Sequence, residues 1–87
     1  AIDAGNSAVF NNRGNIYFSQ KDYERAIEDY SYAEKLSTND AGIKMNISMA
    51  NYQLGNLQLA SSKYEEADMI DASVEKRYAG YIKLLSK

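Results

Sequence analysis

The residue types that most often carry out chemistry in proteins are scarce in this 87-residue sequence. It contains no His and no Cys. Their absence removes the commonest general base, the commonest metal ligand and any thiolate nucleophile. Two acidic groups stay as candidates for acid–base work or for binding a divalent cation. They are Glu24, Glu28 and Asp29, and Glu65, Glu66 and Asp68.

Both acidic groups are more simply interpreted as the solvent-facing side of a helix. Arg25 and Asp29 are four residues apart, so on a helix they form a surface pair worth about 0.2–0.5 kcal/mol. Gly14-Asn15 is followed by no Gly-Lys-Ser or Gly-Lys-Thr, so it is not a phosphate-binding loop. With no His or Cys to complete a site, we expect a protein that is not an enzyme and that uses no metal and no cofactor.

Composition is typical of an ordinary globular domain, with 45% apolar residues, 25% charged residues and a formal net charge of −2. No apolar run approaches the ~18 residues of a membrane span, and no Lys/Arg block suggests a nucleic-acid surface. We therefore expect a protein or peptide partner. The first residue is Ala1 rather than Met, so we expect a piece of a longer protein. A cytoplasmic location is favoured, and a periplasmic or membrane-associated one stays open.

The segments that would position a binding site recur along the sequence at a fixed interval. This interval is the number of residues that separates Asn12 from Asn46. We call this interval the repeat period. It also aligns Ala26 with Ala60, Tyr30 with Tyr64, and Ala33 with Ala67. A third, truncated copy begins at Glu75. An internal repeat of about 34 residues is typical of a helical array in which each unit buries its apolar face against the next.

Within each unit, apolar residues recur at spacings of three and four, which is one face of an α-helix. No proline interrupts them. Asp22, Asn56 and Ser73 each stand where a side chain can cap a helix N-terminus. We predict no strand and five helices, at about residues 6–20, 23–37, 40–54, 57–71 and 74–86.

The order of large and small residues within the repeat is specific. The first copy contains Phe10-x₂-Arg13-Gly14-x₂-Tyr17, then Tyr23-x₂-Ala26-x₃-Tyr30-x₂-Ala33. This resembles the tetratricopeptide repeat, a 34-residue helix–turn–helix unit with W-x₂-L-G-x₂-Y followed by A-x₃-F. The second copy departs from that pattern at Lys44, Ser48 and Asn51, which stand at its large, small and aromatic places.

The resemblance implies an all-α superhelix, or solenoid, in a single domain of residues 1–87. Repeat one would cover about residues 7–40, repeat two about 41–74, and a C-terminal capping helix about 75–87. The implied function is protein–protein interaction, as a scaffold or adaptor that binds an extended peptide segment in its concave groove. Two alternatives stay open. One is a secretion-type chaperone for an apolar segment, and the other is a self-assembly module stacking end to end through its terminal helices.

The resemblance also places the groove on the first helix of each pair. Asparagine side chains there offer both a donor and an acceptor to a peptide backbone. Phenylalanine, tyrosine and methionine would supply apolar pockets, methionine being adaptable in shape. The expected partner-binding residues are Asn11, Asn12, Asn15, Phe18, Ser19, Met45, Asn46, Met49, Tyr52, Gln53, Lys76 and Lys83.

Some members of the family grip a C-terminal carboxylate between two asparagines and several cations. Asn15, Asn46 and Lys76 fall at matching places in this sequence. Asn11 and Gly80 stand where Lys or Arg would be expected. Two missing cations argue against tight capture of a free carboxylate.

Overall fold

The computed structural model describes residues 6–86, and this part of the chain is a stack of helices without a strand. Its helices are α1 (Ser7–Ser19), α2 (Tyr23–Leu36), α3 (Ala41–Gln53), α4 (Leu57–Ile70), α5 (Val74–Arg77) and α6 (Ala79–Leu85). Helix α1 packs against α2, α3 packs against α4, and α2 joins the two pairs by packing against α3. The body measures 42 × 26 × 18 Å. The all-α prediction is confirmed.

The internal repeat is visible in the backbone itself. Helix α3 begins and ends one repeat period after α1, and α4 begins and ends one repeat period after α2. The turns correspond as well, because Lys21 and Gly55 occupy the same place with φ of 62° and 83°. Glycine adopts this left-handed conformation readily, whereas lysine is strained there. The two helix pairs therefore follow the same backbone path with different side chains.

One of the three predicted N-caps forms as expected. The Asp22 carboxylate accepts a hydrogen bond from the Arg25 backbone amide at 3.3 Å. Asn56 and Ser73 occupy cap positions, but neither side chain bonds to an amide of the helix that follows. The Asn56 side-chain amide instead donates to Asn51 Oδ1 at 3.3 Å. The prediction of a side-chain cap is wrong at these two positions.

The prediction of a single last helix over residues 74–86 is also wrong. Tyr78 separates α5 from α6, with φ −119° and ψ 27°. The Ile82 amide donates to the Tyr78 carbonyl at 2.9 Å, which makes Tyr78 the residue from which α6 begins. The Tyr78 ring packs against a cluster that includes Met45 and Val74. Because the apolar spacing is unchanged across residue 78, periodicity alone gives no sign of this interruption.

The core consists of two clusters that share α3, which has neighbours on both sides. Gly14 provides the closest approach in the first helix pair, because a Cβ there would lie 2.6 Å from Tyr30 Cε1. The first cluster contains Phe10, Ala26, Tyr30, Ala33, Ile43, Ile47 and Ala50, and the second contains Ala41, Met45, Ala67 and Val74.

No helix within residues 6–86 combines the length and apolar character that a membrane crossing requires.

Candidate functional site: the shared face of α1 and α3

Two of the predicted binding residues meet directly across α1 and α3. Asn46 Nδ2 donates to Asn11 Oδ1 at 2.9 Å, and both side chains are half-buried, whereas the neighbouring Asn12 is exposed. The bond uses one amide hydrogen and one oxygen lone pair, so each side chain keeps further donor and acceptor capacity. The first helices of the two pairs thus lie side by side and present amide groups on a common face.

The side chain of Asn15 is held in place by a hydrogen bond from a buried tyrosine. The Tyr30 hydroxyl donates to Asn15 Oδ1 at 2.6 Å. Tyr30 is only 2% exposed, and burial raises the pKa of its hydroxyl to about 12. The hydroxyl is therefore protonated at neutral pH and acts as the donor. This arrangement leaves the Asn15 NH₂ group to donate to a ligand.

Helices α1 and α3 also carry aromatic side chains at equivalent places in the two pairs. Phe18 packs edge-on against Tyr23, with ring centroids 5.2 Å apart. Tyr52, one repeat period after Phe18, packs edge-on against Tyr81 at 5.7 Å. Phe18, Tyr52 and the nearby Met49 are all half-buried. They supply fixed apolar surface that is still partly accessible.

Met45 was predicted to bind a partner, but it does not lie on the surface. It is fully buried at 0% exposure and packs in the cluster of Ala41, Ala67 and Val74. The aligned residue in the first pair, Asn11, is half-buried and bonds to Asn46. The difference arises because Val74 packs with Met45 in a cluster that Tyr78 and Tyr81 also contact. Met45 is therefore a core residue and offers no surface to a partner.

The other predicted residues are exposed. Ser19 donates its hydroxyl to the Ile16 carbonyl at 2.8 Å, so it is partly engaged within α1. Lys76 lies on α5 and Lys83 on α6, so the break at Tyr78 separates them. The exposed set is Asn12, Asn15, Ser19, Gln53, Lys76 and Lys83.

A charged network that was not predicted from the sequence joins α2, α3 and α4. Lys44 Nζ lies 2.7 Å from Glu34 and 3.0 Å from Glu66, and Lys63 Nζ lies 2.9 Å from Glu34 and 3.5 Å from Glu66. Burial raises the pKa of Glu34, but hydrogen bonds from the two lysines outweigh it, so its pKa lies below the ordinary 4.5. The sequence contained one signal of this network. A charged residue at the large place of the repeat pattern, Lys44, needs a partner when the helices stack.

The other two departures from the repeat pattern are satisfied by hydrogen bonds. Ser48, at the small place, is fully buried, and its hydroxyl lies 2.6 Å from the Ala60 carbonyl and 2.7 Å from the Tyr81 hydroxyl. Asn51, at the aromatic place, is 2% exposed and donates to the Ile47 carbonyl at 2.9 Å. Polar residues thus replace apolar ones in the second pair without leaving these groups unpaired.

One of the predicted surface charges is internal. Asp29 is 6% exposed, and its two oxygens accept from Arg13 Nε and a terminal guanidinium nitrogen at 2.7 and 2.8 Å. Arg25, the predicted partner of Asp29, instead lies 3.5 Å from Asp22. The helix spacing suggested a local pair, but a bidentate contact with the facing helix α1 takes its place.

Helices that pack in adjacent pairs and recur with a fixed period define a helical repeat architecture within residues 6–86. A family model described as "Tetratricopeptide repeat" matches residues 7–40, which contain α1, α2 and the turn that leads to α3. This match supports a tetratricopeptide repeat in residues 7–40. Repeats of this family are generally non-catalytic protein–protein interaction modules. A comparison with curated proteins found no match.

Proposed function

We propose that this chain binds an extended segment of a partner protein along the face shared by α1 and α3. We call this the asparagine face and define it by Asn11, Asn12, Asn15, Asn46 and Met49. The observation that carries the proposal is the 2.9 Å bond between Asn46 and Asn11. It supports a continuous amide surface built from two helices rather than isolated polar residues on each.

The chemistry of the asparagine face suits a peptide backbone. An extended segment has amide and carbonyl groups that are not paired within the segment itself. Asn15 offers its NH₂ group to a carbonyl, because Tyr30 already occupies its oxygen. Asn46 offers its oxygen to an amide, because its NH₂ group already bonds to Asn11. Each such bond contributes about 0.5–1.5 kcal/mol net.

Apolar contacts would supply the remainder of the affinity. Phe18, Tyr52 and Met49 are half-buried and lie on the same two helices as the asparagines. Covering apolar surface contributes about 25 cal/mol per Å², and the rings are already held by their aromatic neighbours. A ligand that covers them therefore loses little free energy to side-chain ordering.

Lys76 and Lys83 extend the proposed surface beyond the asparagine face. Both are exposed, and within residues 6–86 neither takes part in a salt bridge. A carboxylate of the partner would find a cation at this end of the surface. The contribution would fall as salt rises, because exposed charge contacts are screened.

The experiment begins with a peptide selected from a display library on the immobilised chain, followed by calorimetric titration. Asn15→Ala combined with Asn46→Ala should lower affinity by about tenfold or more, which is about 1.4 kcal/mol. Removing Asn15 also leaves the Tyr30 hydroxyl without its acceptor, so circular dichroism must show that the double variant is folded.

The matched control is Glu28→Gln, which changes an exposed residue of α2 and should leave the affinity unchanged. Equal affinity of the wild type and the folded double variant would contradict the proposal. Tight binding of apolar peptides irrespective of the asparagines would favour the chaperone alternative. A concentration-dependent mass in sedimentation that Tyr81→Ala abolishes would favour self-assembly.

A further inference from the structure

The Tyr30 hydroxyl connects the buried core to the asparagine face. Tyr30 is 2% exposed, and its ring belongs to the first core cluster. Its hydroxyl lies 2.6 Å from Oδ1 of Asn15, whose side chain is exposed. A group in the core therefore acts on the proposed binding surface through a single surface side chain.

The length of this bond indicates which end of the Asn15 amide faces the tyrosine. Bonds from a hydroxyl to an oxygen are about 2.5–3.0 Å long, whereas bonds from an NH₂ group to an oxygen are about 2.7–3.2 Å long. The observed 2.6 Å fits the first range and lies below the second. The opposite orientation would also leave the buried hydroxyl hydrogen without its acceptor, which is unfavourable. The oxygen of Asn15 therefore faces Tyr30, and its NH₂ group faces away.

Close packing fixes the ring that carries this hydroxyl. A Cβ at Gly14, the neighbour of Asn15 in sequence, would lie 2.6 Å from Tyr30 Cε1, so the ring lies directly on the backbone of α1. Ala26 and Ile47 belong to the same buried cluster. A ring packed in this way cannot change its position unless its neighbours move. Its hydroxyl is a fixed donor for the Asn15 amide, which would otherwise rotate broadly.

The second helix pair has the tyrosine without the asparagine. Tyr64 stands one repeat period after Tyr30, and Met49 stands one repeat period after Asn15. The sulfur of methionine is a weak acceptor and carries no donor. The second pair therefore has no surface amide at this place, and Tyr64 offers a matched control for the loss of a tyrosine hydroxyl.

We propose that Tyr30 is a positioning residue of the asparagine face, and that it makes Asn15 select a hydrogen-bond acceptor of the partner. This selectivity rests on the proposed function, since it requires a ligand on the asparagine face. An asparagine that is free to rotate can bind either a donor or an acceptor. With its oxygen engaged by Tyr30, Asn15 presents its NH₂ group, so the group opposite must be an acceptor such as a backbone carbonyl. Tyr30 sets this preference without touching the partner.

The test is a double-mutant cycle on the binding of the peptide selected by display on the immobilised chain. Tyr30→Phe keeps the packed ring and removes the hydroxyl. It should lower the affinity by about two- to tenfold, because binding must then order the freed Asn15 side chain. In the Asn15→Ala background the same change should leave the affinity unaltered, because no amide is left to position. Tyr64→Phe should leave the affinity of the wild-type chain unchanged.

Two further measurements separate positioning from a general loss of structure. In the free chain, Tyr30→Phe should shift the ¹³C signal of the Asn15 side-chain carbonyl, and Tyr64→Phe should leave it in place. In the selected peptide, the backbone carbonyls are replaced one at a time by thiocarbonyls, because sulfur is a weaker acceptor than oxygen. One replacement should weaken binding to the wild type and have no effect on binding to Asn15→Ala.

An equal loss of affinity from Tyr30→Phe in the wild-type and Asn15→Ala backgrounds would overturn the proposal, because the hydroxyl would then act through the fold. So would a peptide in which no thiocarbonyl replacement depends on Asn15. If Asn15→Ala weakens binding and Tyr30→Phe does not, the positioning role is wrong while the proposed function stands. If Asn15→Ala binds as the wild type does, the selectivity is wrong, and the variant that also lacks Asn46 decides the proposed function separately.

Discussion

Replacing Gly14 by alanine places a methyl group against Tyr30, the largest fully buried side chain among residues 6–86. The new Cβ would lie 2.6 and 2.7 Å from Tyr30 Cε1 and Cδ1, and 3.3 Å from the Ala26 carbonyl oxygen. The ring cannot easily swing aside, because its hydroxyl is bonded to Asn15 at 2.6 Å. The helices α1 and α2 must therefore move apart or the ring must leave its favoured position.

Two effects of opposite sign decide how much Gly14→Ala changes the free energy of unfolding. Alanine favours a helix interior over glycine by about 0.5–1 kcal/mol. Overpacking of a close contact costs about 1–3 kcal/mol. The contact at 2.6 Å is far inside van der Waals distance, so the second effect should win. We expect Gly14→Ala to lower the free energy of unfolding by about 1–2 kcal/mol.

Gly80→Ala is the matched control. Gly80 also lies within a helix, but a Cβ there would meet nothing within 4 Å, so this variant should gain up to about 1 kcal/mol. The difference between the two variants isolates the Tyr30 contact at about 1–3 kcal/mol. Urea unfolding measures it directly, and a difference of about 1 kcal/mol corresponds to about 4–8 °C in Tm for a domain of this size. Equal changes in the free energy of unfolding for Gly14→Ala and Gly80→Ala would refute the close contact of α1 and α2 at Gly14.

Three further changes test other contacts. Lys21→Gly should raise the free energy of unfolding by about 0.5–1 kcal/mol, because glycine relieves the left-handed backbone; a destabilised variant in urea unfolding would contradict this. Ala60→Leu, at a fully buried place, should cost about 1–3 kcal/mol by overpacking, and an unchanged midpoint would mean that α3 and α4 pair differently. Glu34 has a lowered pKa, so its stabilisation is present above about pH 4.5 and is lost as pH falls through its folded-state pKa. Glu34→Gln should therefore cost about 1–3 kcal/mol at pH 7 and approach the wild type in acid, whereas a gap independent of pH would contradict the charged network.

The sequence predicted the path of the backbone well because each local signal agreed with the others. Apolar spacing, the absence of proline and the repeat period placed the ends of the first four helices within one residue of where the structure has them. The predicted cap at Asp22 forms, with Oδ1 accepting from the Arg25 backbone amide while Oδ2 lies near the Arg25 guanidinium. Asn56 does not cap α4, and its side-chain NH₂ group donates instead to Asn51 Oδ1, five residues earlier.

The side-chain partners were less predictable, because they depend on how the pairs stack. Met45 and Asn11 align in sequence, yet Met45 is buried in the cluster that contains Val74, whereas Asn11 is half-buried and bonds to Asn46. Asp29 pairs with Arg13 of the facing helix rather than with Arg25 of its own. Periodicity describes one helix at a time and carries no information on which charge a neighbouring helix brings.

The positions of the asparagines could be predicted from the sequence, but their side-chain contacts could not. Helical spacing and the family resemblance placed Asn11, Asn15 and Asn46 on the first helices of the pairs. The sequence could not show that Asn46 bonds to Asn11 or that Tyr30 engages Asn15, since each bond joins residues from different helices. These bonds determine which amide groups stay available to a ligand, so they refine the proposed recognition of a peptide backbone.

The most direct test of the proposed function is to observe the asparagine side chains while a selected peptide binds. Nuclear magnetic resonance resolves the side-chain NH₂ signals of Asn11, Asn15 and Asn46 in a ¹⁵N-labelled chain. We predict that the peptide shifts these signals together, with one saturation curve, and leaves the backbone amides of the exposed side of α2 unchanged. Saturable binding that shifts α2, α4 or α6 while the three asparagine signals stay in place would contradict the proposed function.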